Sequence, residues 1–267
     1  MKAKDLLFFT SLAALAIFIW LRDTHWMSSS EDTLPALAAI PVFIWLGWPW
    51  NFRKDWETPS QWLIVSSVIL FLAGIALNLT IFLATSWTIL LWTWLSIRLE
   101  EDTLMRARKL LILPLLAFPW ITLDAAPLGW WFRLSGAWTA GHFFSLLGAN
   151  VEQMGTNLIV NGLPISVDAA CAGLNTLQSM LIAGTFVAFV ILGDTNRYWW
   201  SIPQLILFTW IANTLRIIVL VITALAVNVP FAMGAFHTFG GWIVVMFMFA
   251  LCWGVFTIQE PARTKAG

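Results

Sequence analysis

The feature that most constrains this fold is a succession of apolar runs, each close to the length that crosses a bilayer. A transmembrane helix needs about 20 predominantly apolar residues, with a range of about 17–25. The chain has 267 residues, of which 60% are hydrophobic and only 10% are charged, whereas soluble domains carry about 25% charged residues. The runs are Leu6–Leu21, Leu34–Trp50, Trp62–Asn78, Thr80–Ile97, Leu110–Ala126, Gly173–Leu192, Trp199–Val227 and Thr238–Ile258. We therefore expect an all-α integral membrane protein with about eight transmembrane helices.

The distribution of basic residues predicts the orientation of these helices. If the N-terminus is cytoplasmic and the spans alternate, the inside segments hold Lys2, Lys4, Arg53, Lys54, Arg98, Arg106, Arg108, Lys109, Arg197, Arg263 and Lys265. The outside segments hold only Arg22 and Arg133, and Arg216 remains within a span. Cytoplasmic loops are enriched in Lys and Arg. This asymmetry predicts that both termini are cytoplasmic.

We interpret residues 1–267 as a single polytopic domain of the cell membrane, the inner or plasma membrane. Its predicted parts are a five-helix N-terminal part (1–126), an extracytoplasmic segment (127–170) and a catalytic three-helix core (171–258). The net charge is zero, which gives no overall electrostatic attraction for nucleic acid. We therefore expect membrane lipid, and no nucleic acid, among the partners.

The extracytoplasmic segment is predicted to contain a small helix and a β-hairpin. The stretch Trp130–Gly148 has aromatic and apolar residues at helical spacing, and tryptophan prefers the membrane interface, so we expect an interfacial helix. Asn161–Gly162 lies between two short β-branched runs, which is a strong hairpin signal. Pro164 confines the second strand to an edge.

Cys171 is the first candidate for chemistry. Asp168 is a plausible N-cap for the helix that follows, so Cys171 is expected in the first turn, where unpaired N–H groups and the helix dipole favour the thiolate. Asn175, Gln178 and Ser179 fall on the same helix face as Cys171. The alternative interpretation is that Cys171 is a small buried apolar residue, which is the interpretation we adopt for Cys252.

Two further ionisable residues stand out. Arg216 lies within the seventh run, with Asn213 three residues before it, and an intramembrane charge requires a partner or a watery cavity. Arg216 could instead be structural, pairing helices through Asp124 or Asp168. His237 lies just before the last run, and its alternative interpretation is an interfacial histidine without chemistry.

The predicted topology places Cys171, the outer part of the seventh helix and His237 on the same side of the membrane. A thiolate nucleophile, a guanidinium that stabilises negative charge and an imidazole acid/base are suited to acyl transfer. The sequence has no metal-ligand spacing, no phosphate loop and no Gly-x-Ser-x-Gly elbow, so we expect neither a metal nor a cofactor. A non-enzymatic assembly or lipid-binding protein and a small transporter remain alternatives.

The same residues carry a resemblance to a known family. "DAACAGLNTLQ" (Asp168–Gln178), "NTLR" (Asn213–Arg216) and the late histidine His237 resemble the exosortase/archaeosortase family. The cysteine motif of that family usually reads Ala-Cys-Ser-Gly followed by an apolar residue, whereas this chain has Ala172 in place of the serine. Asn213 and Arg216 match the Asn-x-x-Arg element of the family.

The resemblance implies a membrane-embedded cysteine peptidase or transpeptidase. Its substrates would be exported proteins with a C-terminal tail made of a short motif of the Pro-Glu-Pro (PEP-CTERM) type, a membrane helix and a basic cluster. Cleavage would occur at the outer face, followed by transfer to an acceptor. The implied catalytic residues are Cys171, Arg216 and His237, and we expect Asp168, Asn175 and Asn213 to support them.

Overall fold

Apolar helices dominate the chain. The computed structural model describes residues 3–28, 30–55, 57–166 and 174–260, and of Asn175 and His237 it describes only the backbone. The described residues form the helices α1 (Ala3–Arg22), α2 (Ser30–Leu46), α3 (Gln61–Leu77), α4 (Thr80–Arg98), α5 (Glu101–Leu110), α6 (Ile112–Leu116), α7 (Trp120–Asp124), α8 (Ala126–Leu146), α9 (Leu174–Leu192), α10 (Tyr198–Ala226), α11 (Val229–Met233) and α12 (Ala235–Gln259). The strands β1 (Val151–Met154), β2 (Asn157–Val160) and β3 (Leu163–Ser166) lie between α8 and α9.

The helices are consistent with the predicted all-α membrane protein. Within the described residues, three segments are long and apolar enough to cross a membrane: Asp5–Arg22, Thr80–Arg98 and Tyr198–Ala226. Four shorter apolar helices are Thr33–Leu46, Gln61–Leu77, Thr176–Leu192 and Met246–Gln259. The total of eight spans and their orientation stay predictions.

The predicted fifth span, Leu110–Ala126, differs from the structure. This stretch contains the last residue of α5, the short helices α6 and α7, the first residue of α8 and the non-helical residues between them. Pro119 follows the break at the end of α6, and a proline removes a backbone donor and disfavours a helical conformation in the residue before it. Hydropathy alone did not predict this interruption of the helix.

The chain divides into two compact units, Met1–Asp124 and Ala125–Gly267. In the first unit, α3 and α4 form a tight helical hairpin, because Asn78 adopts the left-handed conformation and Leu79 N–H donates to the carbonyl of Gly74 at 3.1 Å. The buried Ser67 and Ser86 hydroxyls lie 3.0 Å apart and link the two helices. The interpretation of residues 1–267 as one polytopic domain stays a prediction.

A buried ion pair links the first turn of α1 to the last turn of α4. Arg98 Nε lies 3.2 Å from Asp5 Oδ1, and the side chains are only 13% and 4% exposed. Arg98 Nη1 also donates to the carbonyl of Arg53 at 3.0 Å. The acid near a helix N-terminus and the base near a helix C-terminus each complement the local helix dipole.

The second unit contains the sheet, whose strand order is β1-β2-β3 with antiparallel pairing. Asn161 and Gly162 connect β2 to β3 with φ angles of 52° and 80°, as a type I′ turn requires. The third strand, β1, was missed by the sequence analysis, since "VEQM" is short and has only one β-branched residue. The inner face of the sheet packs against α8, α10 and α11 in one apolar cluster that contains Phe144, Leu158, Val221 and Ala232.

We predict that Arg98→Ala destabilises the first unit by about 3–5 kcal/mol, because it leaves the buried Asp5 carboxylate without its cation. Thermal unfolding in detergent, followed by tryptophan fluorescence, measures this change. The double variant Asp5→Asn/Arg98→Met removes both charges and should cost less than Arg98→Ala alone. An Arg98→Ala protein with unchanged Tm would show that the pair contributes nothing.

Candidate active site

Helix α10 carries Asn213 and Arg216, the two predicted site residues whose side chains the structure describes. It has 29 residues, which corresponds to a length of roughly 44 Å and exceeds the roughly 30 Å hydrocarbon core of a bilayer. Asn213 is buried with 2% exposure, and Arg216 is half-buried. Since they are three residues apart, their side chains share one side of the helix.

The Asn213 carboxamide is buried without hydrogen bonds. Among the described residues, neither Oδ1 nor Nδ2 has a hydrogen-bond partner. The neighbouring Thr209 and Thr214 hydroxyls instead donate to the carbonyls of Leu205 and Trp210 in their own helix, at 2.7 and 2.9 Å. Asn213 is therefore a polar side chain on this part of α10 that the helix itself leaves unsatisfied.

Asp124 forms a hydrogen bond within the first unit. It is one of the two acids considered above as a partner for Arg216. Its Oδ2 accepts a hydrogen bond from Ile81 N–H at 2.6 Å, in the first turn of α4. The other acid, Asp168, lies outside the described residues, as does Cys171.

Helix α8 approaches α10 closely at Gly136. A Cβ at this position would lie 2.9 Å from Ile217 Cδ1, 3.6 Å from Thr214 Oγ1 and 3.8 Å from Asn213 Nδ2. Next to it, Ser135 Oγ accepts a hydrogen bond from Trp210 Nε1 at 2.9 Å. Gly136 thus brings the α8 backbone against the α10 face that carries Asn213.

Arg133, one turn before Gly136, was treated in the sequence analysis only as a charge outside the membrane. It is half-buried, and its buried Nε has no hydrogen-bond partner among the described residues. In the sequence, only its spacing of three residues from Gly136 could have indicated that Arg133 faces the interior, because this spacing puts both residues on one helix face. The spacing is informative only once α10 is known to pack on this face.

The last strand leads toward the predicted nucleophile. Strand β3 ends at Ser166, and the following residues 167–173, which include Asp168 and Cys171, lie outside the description. Helix α9 then begins at Leu174. Gln178, predicted to share a face with Cys171, is buried, and Ser179 is half-buried.

Three helices with motif residues pack together in the second unit. Gly184 of α9 faces Leu205 of α10, and only five residues, 193–197, connect these antiparallel helices. Arg197 Nη1 donates to the carbonyl of Gln259 at 2.6 Å, so the end of α12 lies beside the start of α10. The starts of α9 and α12 consequently lie toward the C-terminal end of α10.

This arrangement relates the predicted site residues by topology. Cys171 precedes α9 by three residues, His237 is the third residue of α12, and Arg216 lies in the C-terminal half of α10. The sheet packs on the same half of α10, through the cluster that includes Leu220 and Ala224. The direct distances among Cys171, Arg216 and His237 stay predictions.

The described residues offer no metal centre. They contain no group of three or more His, Cys, Asp or Glu side chains that could hold an ion. Cys252 is buried in α12, among apolar surroundings that suit its interpretation as a small core residue.

Comparison with known families accounts for most of the chain. No curated protein and no solved structure matches it. A family model described as transmembrane exosortase matches residues 7–254, a range that covers most of both compact units and every predicted site residue. The chain belongs to the transmembrane exosortase family.

Proposed function

We propose that this protein is a membrane-embedded cysteine transpeptidase that cleaves the C-terminal sorting signal of exported proteins. Membership of the exosortase family supports a membrane transpeptidase in a general sense, with exported proteins as substrates. The finer proposal names a PEP-CTERM-like signal, Cys171 as the nucleophile and the outer face of the inner or plasma membrane as the site of cleavage. The cleaved protein is then transferred to an acceptor.

The chemistry requires three roles. The Cys171 thiolate attacks the scissile carbonyl carbon, and the Arg216 guanidinium stabilises the oxyanion of the tetrahedral intermediate. The C–N bond then breaks, His237 gives a proton to the leaving amine, and a thioester remains on Cys171. His237 next takes a proton from the acceptor nucleophile, which attacks the thioester and releases the Cys171 thiolate.

The observation that supports this proposal best is the convergence of α9, α10 and α12. The start of α9, the C-terminal half of α10 and the start of α12 lie toward one end of the second unit. These are the elements next to Cys171, Arg216 and His237, respectively. The amide of Asn213 and the charge of Arg216 in a largely apolar helix agree with a site that opens into the bundle rather than to lipid.

The supporting residues act on the nucleophile. Asp168 is proposed to cap a helical turn that contains Cys171 and leads into the described part of α9, and so to orient Cys171. Asn175 is proposed to face the same site one turn further along. Because the substrate tail contains its own membrane helix, it must reach the site laterally, through an opening between helices at the outer leaflet.

Strand β3 is proposed to align the substrate peptide. Asn161 N–H donates to the carbonyl of Asn150 at 2.8 Å, and bonded pairs alternate along antiparallel strands. With the observed register, Ile159 therefore bonds toward β1, and Pro164 and Ser166 direct their backbone toward the open edge of β3. Since proline has no N–H, this edge offers Ser166 as its donor and suits a short motif added by β-augmentation.

We predict that Cys171→Ala abolishes cleavage of a reporter protein with a sorting tail, by at least about 10⁴-fold, because the nucleophile is lost. Cleavage is measured by mass spectrometry of the reporter in membranes. Cys252→Ala is the matched control, since this second cysteine is buried in α12, and it should retain activity. Full activity of Cys171→Ala would favour an assembly protein or a transporter instead.

Asp168→Asn is expected to retain most of the activity, because asparagine caps a helix about as well as aspartate. Asp168→Ala removes the cap and should lower activity further. Both are measured with the same reporter. If Asp168→Asn were as inactive as Cys171→Ala, the negative charge itself would be required, and a capping role would be wrong.

Photo-crosslinking residues at Leu163 and Ser166 should capture the substrate residues just before the cleavage point. The comparison position is His142, an exposed residue of α8. Peptide mapping of the crosslinked products identifies the captured segment. Capture at His142 without capture at either β3 position would make α8, and not β3, the substrate platform.

A further inference from the structure

The strongest unexplained feature of the described residues is the buried carboxamide of Asn213. A carboxamide can donate two hydrogen bonds and accept two, and at 2% exposure solvent does not satisfy it. Buried polar groups in proteins nearly always have partners, so an exception requires a specific explanation. Both polar atoms of Asn213 are exceptions within the described part of the chain.

Three hydroxyl groups on the facing parts of α10 and α8 already donate their protons. Thr209 and Thr214 donate to carbonyls of α10. On α8, Ser135 Oγ donates to the carbonyl of Trp131 at 2.7 Å and accepts from Trp210 Nε1 at 2.9 Å. These hydroxyl protons are in use, so Asn213 Oδ1 would gain a hydrogen bond from one of them only if an existing bond were broken.

The packing against α8 keeps the carboxamide in place without satisfying it. Gly136 presents only backbone beside Asn213 Nδ2, and the backbone groups inside a helix are used by the helix itself. Gly136 therefore supplies neither a donor nor an acceptor. The structure thus holds an unsatisfied amide at a fixed position, one turn before Arg216.

We infer that Asn213 is a substrate-binding residue that pairs with the backbone N–H and C=O of one residue in the extended sorting signal. This inference rests on the proposed function of the site. In an extended peptide the N–H and C=O of one residue point to the same side, and they complement the Asn213 Oδ1 acceptor and Nδ2 donor, respectively. Two hydrogen bonds then form on binding, and the free protein carries the cost of leaving them unmade.

The spacing on α10 limits which substrate residue is bound. Residues three apart on a helix have Cβ atoms about 5–6 Å apart, and an extended peptide advances roughly 3.3–3.6 Å per residue. If Arg216 stabilises the oxyanion of the scissile carbonyl, Asn213 binds the backbone of a residue one or two positions away. Asn213 therefore sets the register of the substrate relative to Cys171.

If Asn213 has this role, replacing it with an apolar residue should raise the stability of the protein and lower its activity. Asn213→Leu removes the unsatisfied amide at similar size, so Tm should rise by about 2–4 °C. The same variant should lower kcat/KM for the sorting-tail reporter at least about tenfold, because both substrate hydrogen bonds are lost. A residue with a merely structural hydrogen bond would instead lower Tm when replaced by leucine.

The experiment measures Tm in detergent and reporter cleavage for the wild type, Asn213→Leu and Asn213→Ala. The alanine variant leaves a cavity, so it is expected to lose activity as the leucine variant does, without the same rise in Tm. Thr209→Val is the matched control, because Thr209 is equally buried on α10 but its hydroxyl bonds to its own helix. It should retain the activity of the wild type.

A binding measurement separates this inference from the proposed reaction. The affinity of a synthetic sorting-tail peptide in detergent should fall at least about tenfold between Cys171→Ala and Cys171→Ala/Asn213→Leu. Peptide binding that depends on Asn213, without cleavage by the wild type, would overturn the proposed reaction but keep this inference. A lower Tm for Asn213→Leu, or unchanged cleavage and peptide affinity, would overturn the inference itself.

Discussion

Inside a bundle of apolar helices, a polar group must find its partner within the protein, because lipid and packed side chains offer none. Much of the first unit follows from this constraint. Trp87 Nε1 donates to the carbonyl of Leu12 at 2.8 Å, and Trp20 Nε1 donates to that of Ala117 at 3.0 Å. Asp5 pairs with Arg98. These interactions each connect segments that are far apart in sequence, so satisfying the polar groups also fixes how the helices pack.

The second unit meets the same constraint with a sheet. Its three strands satisfy one another through the β1-β2-β3 ladder, while their inner face adds Leu158, Val160 and Ile165 to the apolar cluster around α10. Because the sheet is anchored to the C-terminal half of α10, the segment that follows β3 starts from a fixed position. The position of a nucleophile in that segment would be determined by the sheet before it and by α9 after it.

The sequence predicted features that depend on local chemistry. Asn161–Gly162 predicted a turn because both residues tolerate positive φ. Long apolar runs predicted helices because a helix satisfies its own backbone hydrogen bonds in lipid. Contacts between segments that are far apart in the chain could not be predicted from the sequence. Nothing local shows that Arg98 pairs with Asp5, or that Gly136 faces Asn213. The break in the predicted fifth span depended on prolines, whose effect within an apolar run varies with the packing around them. The roles of Cys171 and His237 rest on sequence and family alone.

The contrast between a buried ion pair and a buried amide indicates where the chain gives up stability for function. Asp5 and Arg98 are buried charges that compensate each other. Asn213 is a buried amide without compensation among the described residues. Local departures from polar satisfaction in native proteins are expected at functional sites. An amide kept unsatisfied in a rigid helix has no hydrogen bond to break when a substrate arrives, so the cost of its burial is met during folding. The substrate then gains the full value of both hydrogen bonds, and the correct register is selected over others that leave the amide unpaired.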